Sequence, residues 1–464
     1  VRDPSRMAEV LNRVIEKAFR GSAPAQINVP RDYWTQVIDI ELPPIVRFER
    51  QGGGKEAIEN AAKLLSKAKF PVILSGAGVV LGGAIDECKK LAEKLDAPVC
   101  NGYQHNDSFP GSHPLAVGPL GYNGSKAAME LISKADVVLA LGTRLNPFST
   151  LPGYGIDYWP KKATIIQVDM NPDRIGLTKK VSVGICGDAK QVAQQILDKL
   201  SSDAGNTGRE ERKNLIHKTK SAWLQTLSGL DHEEDDPGTV WNKEARERDK
   251  DRMSPRQAWR AIQDALPQDA IISSDIGNNC AIGNAYPTFE KPRKYLAPGL
   301  FGPCGYGFPA ILGAKIGCPD TPVVGFAGDG AFGISMNEMS SCAREEWPAI
   351  TMVIFRNYQW GAEKRNSILW FDDNFVGTEL DPELSYAKVA NACGLKGVTC
   401  KTMEETTKAI KQSCEDQKKG ITTFIEVILN QELGEPFRRD AMKKPVKVAG
   451  IKKEDMKKQP SLIS

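Results

Sequence analysis

The residues best suited to chemistry lie where two predicted strands end. Asp329 stands between Gly328 and Gly330 after an apolar run, and 26 residues separate Gly330 from Asn357, which ends the next apolar run. This spacing allows one helical crossover between neighbouring parallel strands, so both side chains would lie at one edge of a sheet. A carboxylate, an amide oxygen and a nearby main-chain carbonyl are oxygen ligands suited to Mg²⁺. The alternative is a helix cap at Asp329, since aspartate and glycine both occur at strand-to-helix turns.

The glycines beside Asp329 indicate that a phosphate group could lie there. They would let the backbone approach the phosphate closely, and the helix that follows offers free N–H groups. A third predicted strand ends in the sequence SSDIGNN, Ser273–Asn279, which places another glycine turn at the same edge. The sequence therefore predicts a site for a metal ion and a diphosphate group.

The elements that must position this site alternate between helices and strands. The strands are unbroken runs of Val, Ile and Leu, which is typical of parallel sheets covered by helices on both faces. We predict an α/β fold with strands at PVILSGAG, APVCNG, DVVLALGTR and ATIIQVDMN in one unit and at AIISSD, PVVGFAGD, ITMVIFRN and TTFIEVILN in another. The predicted divisions are a first segment at 1–50, a central unit at 51–200, a charged connector at 201–252, the unit with the site at 253–432 and a basic tail at 433–464.

Composition excludes several classes of protein. A net charge of +3 is too small to indicate a surface for nucleic acid or for a membrane. The sequence contains no run of about 18 apolar residues, the length that a helix needs to span a bilayer. The ten cysteines are scattered without the spacing of a zinc site or a redox pair. We expect them to be reduced thiols in a cytoplasmic protein.

The first residues read as the end of a domain. The chain begins at Val1, without an initiating methionine or a signal peptide. The stretch RMAEVLNRVIEKAFRGSAPAQINVP predicts an amphipathic helix, a break and a short strand ending at Pro30. These are closing elements of an α/β domain, so we expect the sequence to be a fragment that lacks most of its first domain.

The motif around Asp329 resembles that of a known group of enzymes. Gly-Asp-Gly followed by about 26 residues and Asn is the metal–diphosphate motif of thiamine-diphosphate enzymes. The segment PGLFGPCGYGFPAILGAK, Pro298–Lys315, is similar to the part that holds the aminopyrimidine in the acetohydroxyacid synthase group. The resemblance implies a thiamine-diphosphate-binding fold with a Rossmann-like central domain, and Mg²⁺ bound by Asp329, Asn357 and the carbonyl of Gln359. It also implies contacts to the cofactor from Ile276, Gly277, Asn278, Asn279, Gly302, Cys304, Gly328, Asp329, Gly330, Ala331 and Asn357.

Several longer blocks resemble the sulfoacetaldehyde acetyltransferase family within that group. They include LFGPCGYGFP, FRNYQWGAEKRN and NQELGEPFRRDAMKKPV. The resemblance implies that sulfoacetaldehyde and phosphate become acetyl phosphate and sulfite through acetyl-thiamine diphosphate, as in taurine catabolism, in a homodimer or homotetramer. Two alternatives stay open: a carboligase of the acetolactate synthase type, and a subunit that binds thiamine diphosphate without catalysis.

Two features depart from the pattern of the group. The glutamate that protonates the pyrimidine ring would lie upstream of Val1, and Glu9 and Glu16 lie on the closing helix, so we expect this fragment alone to be inactive. Many relatives place Met or another bulky residue where Cys304 stands, to bend the cofactor. Either Cys304 or a neighbour, Phe301 or Tyr306, would have that role.

Other residues are candidates for substrate contacts. His105 follows a predicted strand, where it could transfer a proton or contact substrate, although a packing role is the more common one. Two anionic substrates require cations, although each candidate could also be an ordinary solvated side chain. The glycines of SGAGVVLGG, Ser75–Gly83, depart from the dinucleotide-binding spacing and predict a strand–helix turn, so we expect no FAD or NAD. The candidate cations are Arg144, Lys364, Arg365, Arg438 and Arg439.

Overall fold

Two α/β lobes make up most of the described chain. The computed structural model describes residues 1–21, 23–42, 49–229, 247–299, 301–344, 346–370 and 375–432, without the side chains of 366–370. Each lobe contains one six-stranded sheet whose paired strands all run parallel. The predicted fold class is therefore confirmed. We call residues 55–199 the first lobe and residues 255–428 the second lobe.

The sheet of the first lobe has the strand order of a Rossmann fold, β3-β2-β1-β4-β5-β6. Its inner strands are buried almost throughout, because helices cover both faces. The strands are β1 Pro71–Ser75, β2 Val99–Asn101, β3 Ala116–Pro119, β4 Val137–Leu141, β5 Thr164–Asp169 and β6 Val183–Cys186. The helices are Lys55–Lys67, Ala77–Gly82, Ile85–Leu95, Lys126–Ile132 and Ala189–Lys199.

The sheet of the second lobe has the order β11-β12-β10-β9-β7-β8. From β7 the chain first adds β8 on one side and later adds β9 and β10 on the other, so the strand order reverses at the β7–β9 pair. The strands are β7 Ile271–Ser274, β8 Tyr295–Leu296, β9 Val323–Gly328, β10 Thr351–Arg356, β11 Lys396–Cys400 and β12 Thr423–Ile428. The helices are Pro255–Ala265, Asn278–Ile282, Gly307–Gly317, Asp329–Ser335, Met339–Cys342, Gly361–Trp370, Tyr386–Ala392 and Met403–Gln417.

The turn after β1 leads into two helices, because Gly83 has a positive φ of 66° and ends the helix Ala77–Gly82 before Ile85–Leu95 begins. One local expectation is corrected by the structure. The strand predicted up to Pro30 is wrong, since residues 24–30 are irregular and have no neighbouring strand to pair with in the described chain. The amphipathic helix before them is present as Met7–Gly21.

Gly76 and Gly78 form a strand–helix turn that needs glycine for packing. A Cβ at Gly76 would lie 2.5 Å from Cβ of Thr143, and one at Gly78 would lie 2.7 Å from Cα of Gly142. The glycines therefore let the turn after β1 pack directly against the turn after β4.

A buried arginine attaches the connector to the first lobe. The connector contains the helix Arg209–Gly229, and Arg212 on it is 1% exposed. Its guanidinium donates hydrogen bonds of 2.6–2.9 Å to five main-chain carbonyls, those of Lys69, Leu95, Asp96, Gly205 and Thr207. These bonds hold the start of the helix against the end of Ile85–Leu95. The domain bounds drawn from the sequence stay predictions, and residues 433–464 lie outside the described residues.

Hydrogen bonds join the two lobes next to the site. Asn106 Nδ2 donates to the carbonyls of Asn284, at 2.8 Å, and Pro287, at 2.9 Å. The buried carboxylate of Asp107 accepts from the main-chain N–H groups of Lys294, at 3.0 Å, and Tyr295, at 3.3 Å. The loop after β2 is therefore fixed against the second lobe.

Candidate functional site

Three strand ends of the second lobe meet at one edge of its sheet. Strands β7, β9 and β10 are direct neighbours, and at their carboxyl ends stand Asp275–Asn279, Asp329 and Asn357. In open parallel sheets, ligands bind at carboxyl ends where the strand order reverses. The structure therefore brings together the three segments that the sequence analysis selected.

Asp329 lies beside the segment that carries Asn357 and Gln359. Its Oδ2 accepts hydrogen bonds from the main-chain N–H of Tyr358, at 2.6 Å, and from Arg356 Nη1, at 3.0 Å. Asp329, Asn357 and Gln359 are at most 3% exposed. Gln359 forms a β-bridge with Glu379 whose hydrogen bonds use the carbonyls of Tyr358 and Thr378, so the bridge itself does not use the Gln359 carbonyl.

Asp329 is a buried carboxylate that forms an ion pair with Arg356. Burial raises its pKa to about 6, although Arg356 and the N–H of Tyr358 act in the opposite direction. The described residues contain no group of three His, Cys, Asp or Glu side chains that could hold a metal. A metal at this edge would therefore depend on one carboxylate together with amide and main-chain oxygens, as magnesium bound to a diphosphate does.

The backbone beside Asp329 leaves room for a diphosphate. A Cβ built at Gly277 or at Gly328 would meet no atom within 4 Å, and Gly277 has a φ of 138° that other residues rarely adopt. Asn278 and Asn279 are nearly fully buried, yet Nδ2 of Asn278 and Oδ1 of Asn279 have no hydrogen-bond partner among the described residues. Open space together with buried polar atoms that lack partners fits a polar ligand such as a metal diphosphate.

We call the surface formed by Gly277, Asn278, Asn279 and Gly328 the cradle. A carboxylate that the sequence analysis did not select, Asp275, holds it in place. Asp275 is 1% exposed and accepts main-chain hydrogen bonds from Ile276 at 2.7 Å, Gly305 at 3.1 Å and Gly307 at 2.7 Å. Burial raises the pKa of Asp275, and the N–H groups oppose that effect. Asp275 thereby joins the glycine turn after β7 to the segment that contains Gly302 and Cys304.

A pocket of about 290 Å³ adjoins the cradle and lies between the lobes. The first lobe contributes the loop after β2 together with Tyr122 and Phe148, and the ring of Phe148 stacks on Tyr103 at 5.7 Å. The second lobe contributes the turn after β7, the loop before Gly307–Gly317 and the helix Gly361–Trp370. The lining residues are Tyr103, Gln104, Tyr122, Phe148, Asp275, Ile276, Gly277, Asn278, Ala281, Gly299, Phe301, Gly302, Ala362, Glu363 and Arg365.

Neither His105 nor Cys304 lines the pocket, although His105 follows Gln104, which does, and Cys304 lies two residues after Gly302, which does. Burial lowers the pKa of His105 to about 4, with Arg144 acting in the same direction, so its imidazole is neutral at pH 7. A neutral imidazole has one ring nitrogen that can accept a proton and one N–H that can donate a hydrogen bond, and the role of His105 in proton transfer stays a prediction. Cys304 is half-buried, and burial raises its thiol pKa. The exposed ring of Phe301 does line the pocket, whereas that of Tyr306 does not.

The candidate cations separate into different surroundings. Arg365 lines the pocket. Lys364 forms an ion pair with Glu379, and Arg144 lies near Asp169 and Arg174, away from the pocket lining. Arg438 and Arg439 lie outside the described residues.

Comparisons with known proteins agree with this architecture. Residues 58–196 match the family described as thiamine pyrophosphate enzyme, central domain, and residues 275–427 match thiamine pyrophosphate enzyme, C-terminal TPP binding domain. The chain is 78% identical over 459 residues to a probable sulfoacetaldehyde acetyltransferase of Rhizobium meliloti (strain 1021), covering 99% of this chain and 78% of the relative.

More distant proteins share the fold. A probable acetolactate synthase large subunit of Methanocaldococcus jannaschii is 29% identical, with 89% of this chain and 68% of the relative covered. The crystal structure of benzoylformate decarboxylase from Polynucleobacter necessarius matches with a TM-score of 0.73 at 20% identity, covering 94% of this chain and 76% of that one. The likeness to that structure shows the fold alone.

Proposed function

Because the chain belongs to the sulfoacetaldehyde acetyltransferase family of thiamine pyrophosphate enzymes, we propose that it converts sulfoacetaldehyde and phosphate to acetyl phosphate and sulfite. The observation that supports this most is the meeting of Asp275–Asn279, Asp329 and Asn357 beside a pocket of substrate size. In this reaction the carbon–sulfur bond breaks, sulfite leaves with the bonding electrons, and an oxygen of phosphate becomes bonded to the acetyl carbon. The proposal places the reaction in the breakdown of sulfonates such as taurine.

The chain's own residues would hold the cofactor and its metal. Mg²⁺ would be bound by Asp329, Asn357 and the main-chain carbonyl of Gln359. Thiamine diphosphate, when bound, supplies a carbanion that adds to an aldehyde and a ring that accepts the negative charge formed next. The backbone of Ile276–Asn279 and Gly328–Ala331 would hold the diphosphate, with Gly302 and Cys304 nearer the organic part. The pocket walls would orient the aldehyde and limit access of water.

The reaction can be tested directly on the full-length protein. With thiamine diphosphate, Mg²⁺ and sulfoacetaldehyde present, we expect sulfite release that depends on phosphate and is matched by acetyl phosphate. A parallel sample receives pyruvate in place of sulfoacetaldehyde. Acetolactate from pyruvate without sulfite from sulfoacetaldehyde would favour the carboligase alternative. Cofactor binding without either product would favour the non-catalytic subunit.

The metal site has its own test. Asp329→Ala should abolish Mg²⁺-dependent binding of thiamine diphosphate, since a site for a hard divalent cation loses its charged protein ligand. Asp320→Ala, at an exposed carboxylate before β9, is the matched control and should bind normally. The indole of Trp360 lies 2.8 Å from the position of a Cβ on Gly330, so its fluorescence can report binding. Equal affinity in the two variants would contradict the assignment.

We also propose a homodimer or homotetramer in the cytoplasm. The helix Met7–Gly21 supports association, because Leu11, Ile15 and Phe19 recur at spacings of four residues and are 42–79% exposed. None of the described helices is long and apolar enough to cross a membrane. Analytical ultracentrifugation should give a mass of two or four chains, and a monomer at micromolar concentration would contradict the proposal.

A further inference from the structure

The carboxylate of Asp329 has one oxygen that is already occupied. Oδ2 accepts hydrogen bonds from the main-chain N–H of Tyr358 and from Arg356 Nη1, whereas Oδ1 accepts one bond of 3.0 Å, from the main-chain N–H of Gly330. A carboxylate offers roughly four lone-pair positions, two on each oxygen. Among the described residues these three donors leave a single position, on Oδ1. A cation that binds Asp329 would therefore contact one oxygen of the carboxylate rather than both.

Arg356, the charged donor to Oδ2, is fixed in position by the residues around it. It is fully buried, and its guanidinium carbon lies 4.2 Å from the centre of the Tyr358 ring. Nη2 donates hydrogen bonds to the carbonyls of Asp381 and Leu384. Nε lies 3.8 Å from Oε1 of Glu426, a second buried carboxylate. The guanidinium could therefore leave Oδ2 only if several other contacts were lost as well.

Glu426 completes a buried charge cluster with Asp329 and Arg356. Its carboxylate accepts hydrogen bonds from Oγ of Ser385, at 2.6 Å, and from the main-chain N–H of Tyr386, at 3.1 Å. The hydroxyl of Tyr386 in turn donates a bond of 2.9 Å to the main-chain carbonyl of Asp329. Burying such charges costs desolvation, and apolar side chains of similar volume often give equal or greater stability. The cluster therefore suits a role in the site better than a role in stability alone.

Mg²⁺ and Ca²⁺ differ in how they use a carboxylate. Ca²⁺ takes about six to eight oxygen ligands and often binds both oxygens of one carboxylate. Mg²⁺ requires octahedral geometry with shorter bonds, which one oxygen from each ligand can supply. Occupying the second oxygen of a carboxylate with a charged donor removes the bidentate mode of Ca²⁺ and leaves the mode that Mg²⁺ uses.

We propose that Arg356 is a positioning residue that makes the candidate metal site select Mg²⁺ over Ca²⁺, because it occupies Oδ2 of Asp329 so that the carboxylate offers a single oxygen. This inference rests on the proposed metal site. It adds that a side chain which does not contact the metal determines the choice of cation. Cofactor binding, rather than turnover, reports this role.

The test measures the concentration of Mg²⁺ or of Ca²⁺ that half-saturates binding of thiamine diphosphate to the full-length protein. The fluorescence of Trp360 follows binding. The main variant combines Arg356→Met with Glu426→Gln, so that one positive and one negative charge are removed and the net charge of the cluster is kept. The amide introduced by Glu426→Gln can still accept from the N–H of Tyr386 and can donate to the hydroxyls that now bond to Oε2, those of Ser385 and Thr399.

The informative quantity is the half-saturating Ca²⁺ concentration divided by that for Mg²⁺. Loss of the guanidinium frees a lone-pair position on Oδ2, so Ca²⁺ can bind both oxygens, and we expect this ratio to fall about tenfold. A change in stability or in local charge shifts both cations together and leaves the ratio unchanged. Arg356→Lys keeps a cation near Oδ2 and should retain most of the wild-type ratio. Glu426→Gln alone and Arg212→Met, which removes an equally buried arginine elsewhere, are the controls and should keep that ratio.

A crystal structure of the wild-type protein with thiamine diphosphate and Ca²⁺ gives a second readout that needs no variant. We expect Ca²⁺ on Oδ1 alone, with Arg356 still on Oδ2, and Ca²⁺ on both oxygens of Asp329 would overturn the proposal. A wild-type ratio in the double variant would also overturn it, as would an equal fall in Arg212→Met. If Asp329→Ala binds the cofactor normally, the metal site fails and the proposal fails with it. If the ratio falls as expected but the wild-type protein releases no sulfite, the proposed reaction fails while the role of Arg356 stands.

Discussion

Replacing Asp275 by asparagine tests whether one carboxylate holds the cofactor cradle together. The carboxylate accepts from Ile276 and Gly305 on Oδ1 and from Gly307 on Oδ2. An amide of the same shape offers one oxygen, so its NH₂ group must face either the N–H of Gly307 or the other two N–H groups. In every orientation at least one buried main-chain donor loses its acceptor.

The size of the effect follows from these contacts. Leaving a buried donor unsatisfied costs about 1–3 kcal/mol, and the remaining hydrogen bonds weaken when the acceptor loses its charge. Removing a buried charge offsets part of this loss, since burial raises the pKa of Asp275. We expect the free energy of unfolding to fall by about 2 kcal/mol. We also expect at least a tenfold weaker affinity for thiamine diphosphate, because the turn after β7 and the segment at 305–307 would separate.

Asp107→Asn is the matched control for this experiment. Asp107 is also a buried carboxylate that accepts main-chain hydrogen bonds, and the bonds that it accepts from Lys294 and Tyr295 both use Oδ2. An amide oxygen can keep both, and Asp107 does not line the pocket. Urea titration measures stability, and calorimetry with Mg²⁺ present measures cofactor affinity. The reasoning is refuted if Asp275→Asn binds the cofactor as the wild type does, or if Asp107→Asn weakens binding equally.

Three further changes test other parts of the structure. His105 has a folded pKa of about 4, below the unfolded value of 6.5, so the unfolded state binds more protons as the pH falls from 7 to 5 and the wild-type protein loses stability. His105→Asn should reduce this loss by about 2 kcal/mol. Urea titrations at both pH values check this, and an equal loss of stability in the variant and the wild type would contradict it. Gly277→Ala should weaken diphosphate binding and lower the free energy of unfolding by about 1–3 kcal/mol, because Gly277 has a φ of 138°. The control Gly313→Ala lies inside a helix with open space for a Cβ and should raise the free energy of unfolding, and thermal denaturation can measure both changes. Arg212→Met should lower the free energy of unfolding by at least about 3 kcal/mol without changing cofactor affinity, since five main-chain carbonyls lose their donor. Urea titration checks this, and a variant as stable as the wild type would show that water replaces the guanidinium.

The sequence predicted the inner strands of both sheets and missed the edge strands. β1, β4, β9, β10 and β12 are buried nearly throughout, so their sequences are unbroken apolar runs. The missed strands, β3, β6, β8 and β11, all lie at sheet edges. They are short or contain glycine, proline or lysine, as in AVGP and KGVTC, because an edge strand has one partner and needs less apolar burial.

The candidate site was predictable where it depends on strand ends and not where it depends on contact between the lobes. Asp329 and Asn357 follow apolar runs at a spacing that fixes their neighbourhood. Tyr103 and Tyr122 reach the pocket only through the packing of one lobe on the other, which no local pattern encodes. Asp275 stood in the quoted stretch SSDIGNN, but its role depends on N–H groups about 30 residues further along the chain.

The position of β12 has a consequence for synthesis of the protein on the ribosome. Residues 423–428 form a strand that lies between β10 and β11, although both of these leave the ribosome earlier. Until β12 emerges, the nascent second lobe exposes one unpaired side of β10, whose six residues are all buried in the finished sheet. A nascent chain stalled before residue 423 therefore exposes an incomplete, aggregation-prone sheet edge. Chaperones that bind such edges should associate with the nascent chain at this stage.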